Sequence, residues 1–79
     1  MTVTVLFFAQ ARDATGTAQW TCPPPPDVAT LRDTLVSQFP TLAGILAVSR
    51  IAVNQDIALD STTLTDGDEI AILPPYGGG

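Results

Sequence analysis

The feature that most limits how this chain can fold is a run of four prolines at positions 23–26. Because proline lacks a backbone N–H and has a fixed φ, the run cannot form the interior of a helix or a central strand. It predicts an extended spacer that ends at Asp27. Asp27 is a good N-cap for a helix, and Pro40 would stop that helix. Between them apolar residues recur at helical spacing: Val28, Leu31, Leu35 and Phe39. The sequence therefore predicts one main helix over 28–39.

Strand patterns precede this helix. "VTVLFFA" at 3–9 is β-branched and aromatic, and "TAQWTC" at 17–22 alternates apolar and polar residues, as a half-buried strand does. The polar segment between them carries Gly16 as a turn residue. We expect a hairpin with a long loop, in which Trp20 packs into the core.

The second half of the chain predicts further short elements. "TLAGIL" at 41–46 is compatible with a short turn of helix, and "RIAVNQ" at 50–55 predicts a strand and a turn, followed by "DIALD". Asp66-Gly67 is a strong turn signal before "EIAIL" at 69–73, the last strand.

Two strands at the start, one at the end and one covering helix favour an α+β roll whose terminal strands pair centrally. That arrangement resembles the β-grasp, or ubiquitin-like, fold, a mixed sheet covered on one face by one main helix. We expect one β-grasp domain over 1–75, followed by a flexible C-terminal glycine tail at 76–79.

The charge of the chain limits its partners. The formal net charge is −5, with eight acidic residues, three arginines and no lysine. Nucleic acid binding relies on clustered Lys and Arg, so we predict no nucleic-acid partner. A basic protein surface is the more natural complement.

Residue types also exclude several kinds of site. With one cysteine, Cys22, and no histidine, an internal disulfide, a Cys–His nucleophile pair and the usual zinc sites are excluded. We interpret Cys22 as a passive small residue in a reducing cytoplasm. Asp66, Asp68 and Glu69 fall in one turn without EF-hand spacing, so we interpret them as solvated and predict no metal site.

The amino terminus, "MTVTVLFFAQA", has no positive charge before its short apolar run, so we interpret it as a strand rather than a signal peptide. No segment approaches the ~20 apolar residues that span a bilayer. The expected location is therefore cytoplasmic, with no membrane partner.

Three stretches are more specific than the fold. They are "VLFFAQARDATGT" at 5–17, "AVNQ" at 52–55 and "LTDGDEIAILPPYGGG" at 64–79. In this order they resemble the family of small, sulfur-carrying subunits of molybdopterin synthase, in which Gly78-Gly79 falls on the terminal glycine pair. Two departures are modest: Asp13 stands where the family usually has Glu, and Tyr76 is bulkier than the common valine.

The resemblance implies a function in molybdenum cofactor biosynthesis. An E1-like adenylating enzyme, using ATP and Mg, would convert the carboxylate of Gly79 into an acyl adenylate, and sulfur from a donor protein would then give a thiocarboxylate. The large subunit of molybdopterin synthase would use that sulfur on a cyclic pyranopterin monophosphate. The chain itself would be no enzyme on its own and would bind no permanent cofactor. The family suggests a heterotetramer of two small and two large subunits.

The glycine tail suits this chemistry because glycine has no Cβ and can enter a narrow channel. Pro74-Pro75 fixes an extended exit from the last strand. The four residues that follow, including Gly77, Gly78 and Gly79, reach about 13 Å at most beyond the prolines. The alternative is a frayed terminus without a function.

Strand alternation predicts where a partner docks. If Val3, Val5 and Phe7 face the helix, Leu6 and Phe8 face away. By the same argument Ala71 and Leu73 face away. Of these, Phe8 and Leu73 would form an apolar patch with Ile57 beside the tail, at positions that match the family's docking residues. The alternative is that a second small core or the helix covers them. Arg12 either pairs across the interface or stays solvated.

Two other functions compete with the sulfur carrier of molybdopterin synthesis. A ubiquitin-like protein modifier would need the same activation of Gly79, and an inert β-grasp interaction module would need none. A sulfur carrier of the thiamin pathway is a close neighbour, but "VLFFAQAR" and "LTDGDEIAILPP" match the molybdopterin family better.

Overall fold

The computed structural model describes residues 1–75 and shows a five-stranded sheet with helices packed on one face. The predicted tail at 76–79 lies outside the described residues. The elements in chain order are β1 (Val3–Phe7), α1 (Ala9–Thr15), β2 (Gln19–Cys22), α2 (Val28–Gln38), a 3-10 turn (Pro40–Leu42), α3 (Ala43–Val48), β3 (Arg50–Val53), β4 (Asp56–Ile57) and β5 (Glu69–Leu73).

The strand order is β2-β1-β5-β3-β4. The first and last strands, β1 and β5, pair in parallel at the centre, and the other neighbours are antiparallel. This confirms the α+β prediction and the central pairing of the terminal strands, which is the β-grasp arrangement. Across residues 1–75, no helix has both the length and the apolar character needed to cross a membrane.

The core lies between the sheet and the helices. Alternate residues of the central strands are buried on the helix side, which we call the inner face: Val3, Val5, Phe7, Ile51, Ile70 and Ile72. They pack against Val28, Leu31 and Leu35 of α2 and against Leu42 and Leu46. Since strand side chains alternate, this burial sends the intervening residues to the opposite face.

The main helix begins at Val28 as predicted and ends one residue before the predicted end. The carboxylate of Asp27 accepts a hydrogen bond of 2.9 Å from the Thr30 backbone N–H, and that bond lowers the pKa of Asp27. The last residue of α2 is Gln38, and the 3-10 turn starts directly at Pro40. Phe39, between them, packs edge-on against the rings of Phe7 and Trp20. Trp20 therefore has the packing role expected of it.

The predicted long loop between the first two strands is wrong, because the segment folds as helix α1. Its pattern was hard to detect, since only Ala11 is buried and Phe8, at the N-cap, makes no side-chain capping bond. Gly16 ends this helix with a φ of 74°. It is therefore a turn residue as expected, but it ends a helix instead of lying in a loop. The short turn of helix predicted at 41–46 is confirmed: the 3-10 turn covers its start, and α3 continues through Val48.

Cys22 is buried in the core, and burial raises the pKa of its thiol. A raised pKa keeps the thiol protonated near neutral pH and reduces its nucleophilicity. This environment supports the interpretation of Cys22 as a packing residue.

The core predicts a large loss of stability for Leu35→Ala. Leu35 is fully buried, so truncation should lower the free energy of unfolding by about 2–5 kcal/mol. Leu59→Ala removes the same atoms from a side chain that is 73% exposed, and it should change stability by no more than about 0.5 kcal/mol. Urea unfolding of both variants tests this; equal losses would contradict the described core.

Candidate docking surface

The face of the sheet opposite the helices, which we call the outer face, carries a row of apolar side chains. Leu6 pairs with Ala71, Ala71 with Ala52, and Ala52 with Ile57, so one register line crosses four strands. Leu6 and Ala71 are half-buried, and Ile57 is 59% exposed at the edge strand. The two alanines leave the centre of this row flat.

A second line crosses the outer face where β5 ends. Phe8 follows β1 with extended backbone, and the parallel register continued by one residue sets it beside Leu73. Arg50 pairs with Leu73 from the other side. Phe8 is 46% exposed, Leu73 is half-buried and Arg50 is exposed. We define the outer patch by its apolar members: Leu6, Phe8, Ala52, Ile57, Ala71 and Leu73.

The predicted alternation of β1 and β5 is thus confirmed, and Phe8, Leu73 and Ile57 share the outer face. The exposure of Phe8 and Ile57 leaves both available to a partner within the described structure. Their role in docking stays a prediction. The sequence reasoning placed Leu6 and Ala71 outward without including them in the patch, and it missed Arg50, whose position depends on the pairing of β3 with β5.

Arg12 lies on α1 rather than in a loop, and it is exposed. It is four residues beyond Phe8, or about 6 Å along a helix. Within residues 1–75 the single ion pair joins Arg32 to Asp60, at 2.9 Å. Either of the predicted roles of Arg12, pairing with a partner or remaining solvated, is compatible with this position.

The root of the tail consists of Leu73, Pro74 and Pro75, the last residues described. Exposure increases from the half-buried Pro74 to the exposed Pro75. The predicted reactive residue, Gly79, and the neighbouring Gly77 and Gly78 lie outside the described residues. The outer patch therefore adjoins the last part of the chain that the structure describes.

The turn that carries Asp66 and Asp68 lies at the other end of β5. Asp66 accepts a hydrogen bond of 2.8 Å from the Thr2 backbone N–H. Asp68 accepts one of 2.8 Å from the Thr65 N–H and one of 2.9 Å from the Asn54 amide. These bonds tie the turn to β1 and β3, which gives the two carboxylates a structural role.

Asn54 connects two of the stretches that carry the family resemblance. Its side-chain oxygen accepts a hydrogen bond of 3.0 Å from the Glu69 backbone N–H, and its own N–H donates one of 2.7 Å to the Glu69 carbonyl. Asn54 and Gln55 both have positive φ, which asparagine tolerates well. The "AVNQ" and "TDGDE" stretches therefore fix the start of the strand that ends at the tail.

Asp68→Asn should reduce the pH dependence of stability. The hydrogen bond from Thr65, followed by that from Asn54, lowers the pKa of Asp68 in the folded state. Asp68 has the higher pKa in the unfolded chain, so the unfolded chain takes up a proton there first as pH falls. The stabilisation from these hydrogen bonds is complete above the pKa of the unfolded state, and it is lost as pH falls through the pKa of the folded state. We expect the variant to be less stable than wild type at pH 7.

The difference in stability between wild type and Asp68→Asn should close as pH falls below about 4. Urea unfolding measured from neutral to acidic pH tests this. A difference that stays constant with pH would contradict the assigned hydrogen bonds.

The comparisons with known proteins agree with this architecture. A sequence model of the ThiS family matches residues 5–79, nearly the whole chain. The chain belongs to the ThiS family. This ThiS-family chain is 40% identical, over 80 residues, to the molybdopterin synthase sulfur carrier subunit of Escherichia coli (strain K12), with 98% of this chain and 99% of the relative covered. The sequence-based resemblance to the small-subunit family is confirmed.

Solved structures share the fold of this ThiS-family chain. Small archaeal modifier protein 1 of Methanosarcina acetivorans superposes with a TM-score of 0.88 at 27% identity, over 99% of this chain and 96% of that one. One chain in the complex of subunits 1 and 2 of Molybdopterin-converting factor from Helicobacter pylori 26695 superposes with a TM-score of 0.76 at 32% identity, over 100% of both chains. The predicted β-grasp fold is confirmed.

Proposed function

We propose that this chain is the sulfur carrier subunit of a molybdopterin synthase. The observation that carries the proposal is the outer patch, whose Phe8 and Leu73 lie at the end of β5 from which the tail continues. Such a surface suits a protein whose terminus must be held in a partner's site. The E. coli relative and the H. pylori complex support the same function.

In this function Gly79 is the reacting residue. Its carboxylate attacks the α-phosphate of ATP in an E1-like adenylating enzyme, which uses Mg and releases pyrophosphate. The terminal sulfur of a persulfide on a donor protein attacks the acyl carbon, and AMP leaves. A second thiol then cleaves the S–S bond of the resulting acyl disulfide, which forms a disulfide with the donor cysteine and leaves a thiocarboxylate on Gly79. Inside the large subunit, that sulfur passes to a cyclic pyranopterin monophosphate, and two such deliveries form the dithiolene.

The described residues contribute positioning rather than bond chemistry. Phe8 and Leu73 bury apolar area against the large subunit, Ile57 extends the contact to the sheet edge, and Arg12 supplies charge beside it. Pro74 and Pro75 restrict the backbone directions available to the tail. A tail of three glycines lets the acyl carbon approach a nucleotide or pterin closely, because no side chain intervenes. We propose that two such chains and two large subunits form a heterotetramer.

A protein modifier is the second candidate function, because the fold is also that of small archaeal modifier protein 1 from M. acetivorans, at 27% identity. The same activated Gly79 would then form an amide with lysines of other proteins. Having no lysine, this chain could accept such an amide only at its N-terminus.

The deciding experiment incubates the full chain with an E1-like enzyme, ATP, Mg and a sulfur donor. Mass spectrometry of the intact chain and of its C-terminal peptide should show that one oxygen is replaced by sulfur. Adding the large subunit with a cyclic pyranopterin monophosphate should convert the thiocarboxylate back to the carboxylate. Native mass spectrometry reports the subunit ratio. Amide conjugates to protein lysines, with no sulfur transfer, would instead identify a modifier.

A further inference from the structure

Arg50 is the one charged residue on the register line that crosses the end of β5. It begins β3 and pairs with Leu73, which lies beside Phe8 on its other flank. Its side chain shares the outer face with Ala52, two residues along the same strand. On this register line Leu73 therefore lies between Phe8 and Arg50.

The three arginines have different surroundings. Arg32 donates 2.9 Å hydrogen bonds to the Asp60 carboxylate and to the Leu46 carbonyl, so it holds elements of this chain together. Within residues 1–75, neither Arg50 nor Arg12 takes part in an ion pair. Both are exposed in a chain of net charge −5, and Arg50 lies at the end of β5, where it pairs with Leu73.

The acidic residues of the described strands, Asp56 and Glu69, lie towards the start of β5 rather than its end. Glu69 shares the outer face and strand β5, but it is four residues before Leu73, or about 13 Å along the strand. Asp68 accepts hydrogen bonds from Thr65 and Asn54 at that same distant end. A carboxylate that pairs with Arg50 in an interface would therefore come from the partner.

We propose that Arg50 is a specificity-determining residue of the outer patch, which pairs with a carboxylate on the large subunit; this rests on the proposed function. Covering an apolar patch removes water from a charge that lies beside it, and a guanidinium left without a partner there destabilises the complex. A carboxylate fits best, because it accepts two parallel hydrogen bonds from the guanidinium. This ion pair selects a partner whose acidic group faces Leu73. It also aligns the tail with the partner's site.

The test measures the affinity of the full chain for the large subunit. Arg50→Gln should weaken binding about 30-fold or more, Arg50→Glu should weaken it further, and Arg50→Lys should fall between Gln and wild type. Gln38→Glu is the matched control, since it also makes the net charge more negative by one but lies at the end of α2, across the sheet. It should bind like wild type. Circular dichroism and thermal unfolding establish that each variant folds.

A charge reversal in the partner makes the test specific. Acidic residues of the large subunit are replaced with lysine one at a time. One of these replacements should restore binding of Arg50→Glu while weakening binding of wild type. A second outcome is that Arg50→Gln binds within about twofold of wild type while Phe8→Asp does not bind. That result would contradict the role of Arg50 and leave the proposed function in place. If wild type itself does not bind the large subunit, both proposals are wrong.

Discussion

Adding one residue after Gly79 should abolish sulfur transfer. The extension turns the acyl carbon of Gly79 into an internal amide, which has no free carboxylate for adenylation, and it moves the new carboxylate outward. Deleting Gly79 keeps a terminal glycine but withdraws the carboxylate by up to about 3.5 Å. A displacement of this size can lower the rate a hundredfold or more.

Intact mass after incubation with the activating enzyme, ATP and a sulfur donor measures both effects. A chain extended by one residue before Met1 is the matched control and should acquire sulfur at the wild-type rate. The tail variants should still fold and bind the large subunit, because they change no residue of the described core. Equal sulfur uptake by the C-terminally extended chain, or sulfur located on Cys22, would contradict the proposed mechanism.

Phe8→Asp and Leu73→Asp should each prevent stable association with the large subunit. Either change sets a charge in the apolar outer patch, at a cost of several kcal/mol of binding free energy, or more than a hundredfold in affinity. Phe8 is 46% exposed and follows β1, so its substitution should leave the core in place.

Thr21→Asp is the matched control for these two variants. Thr21 is exposed on β2 and pairs with Thr4, so it adds the same charge to the outer face away from Leu73. Co-purification and titration calorimetry measure the binding. If Phe8→Asp and Leu73→Asp still co-purify with the large subunit, the patch lies elsewhere than the docking site.

Much of the fold follows from local sequence because its signals are strong and short in range. Asp27, the spacing through Leu35 and the stop at Pro40 predict α2 without any tertiary information. The alternation in β1 and β5 predicts both faces of the sheet and thus the outward direction of Phe8 and Leu73. Local signals were weaker for α1, which has one buried residue and no side-chain cap. Its formation depends on packing against the rest of the domain.

The candidate site was predictable in composition but not in arrangement. The glycine end and the outward Phe8 and Leu73 are visible in the sequence. Arg50 is not, because its pairing with Leu73 joins residues far apart in the chain. "AVNQ" and "TDGDE" identify the family, but hydrogen bonding gives them a structural role that no motif match states.

The central position of β5 has a mechanical consequence. The strand that leads into the tail is bonded to β1 on one side and to β3 on the other. Tension applied beyond Pro75 acts along β5, nearly at right angles to many of those hydrogen bonds, so it loads both ladders in shear and must break many bonds together. An edge strand pulled in the same direction would load only one ladder. The terminus that the proposed function draws into and out of a partner's site would therefore be anchored where the sheet best resists being pulled apart.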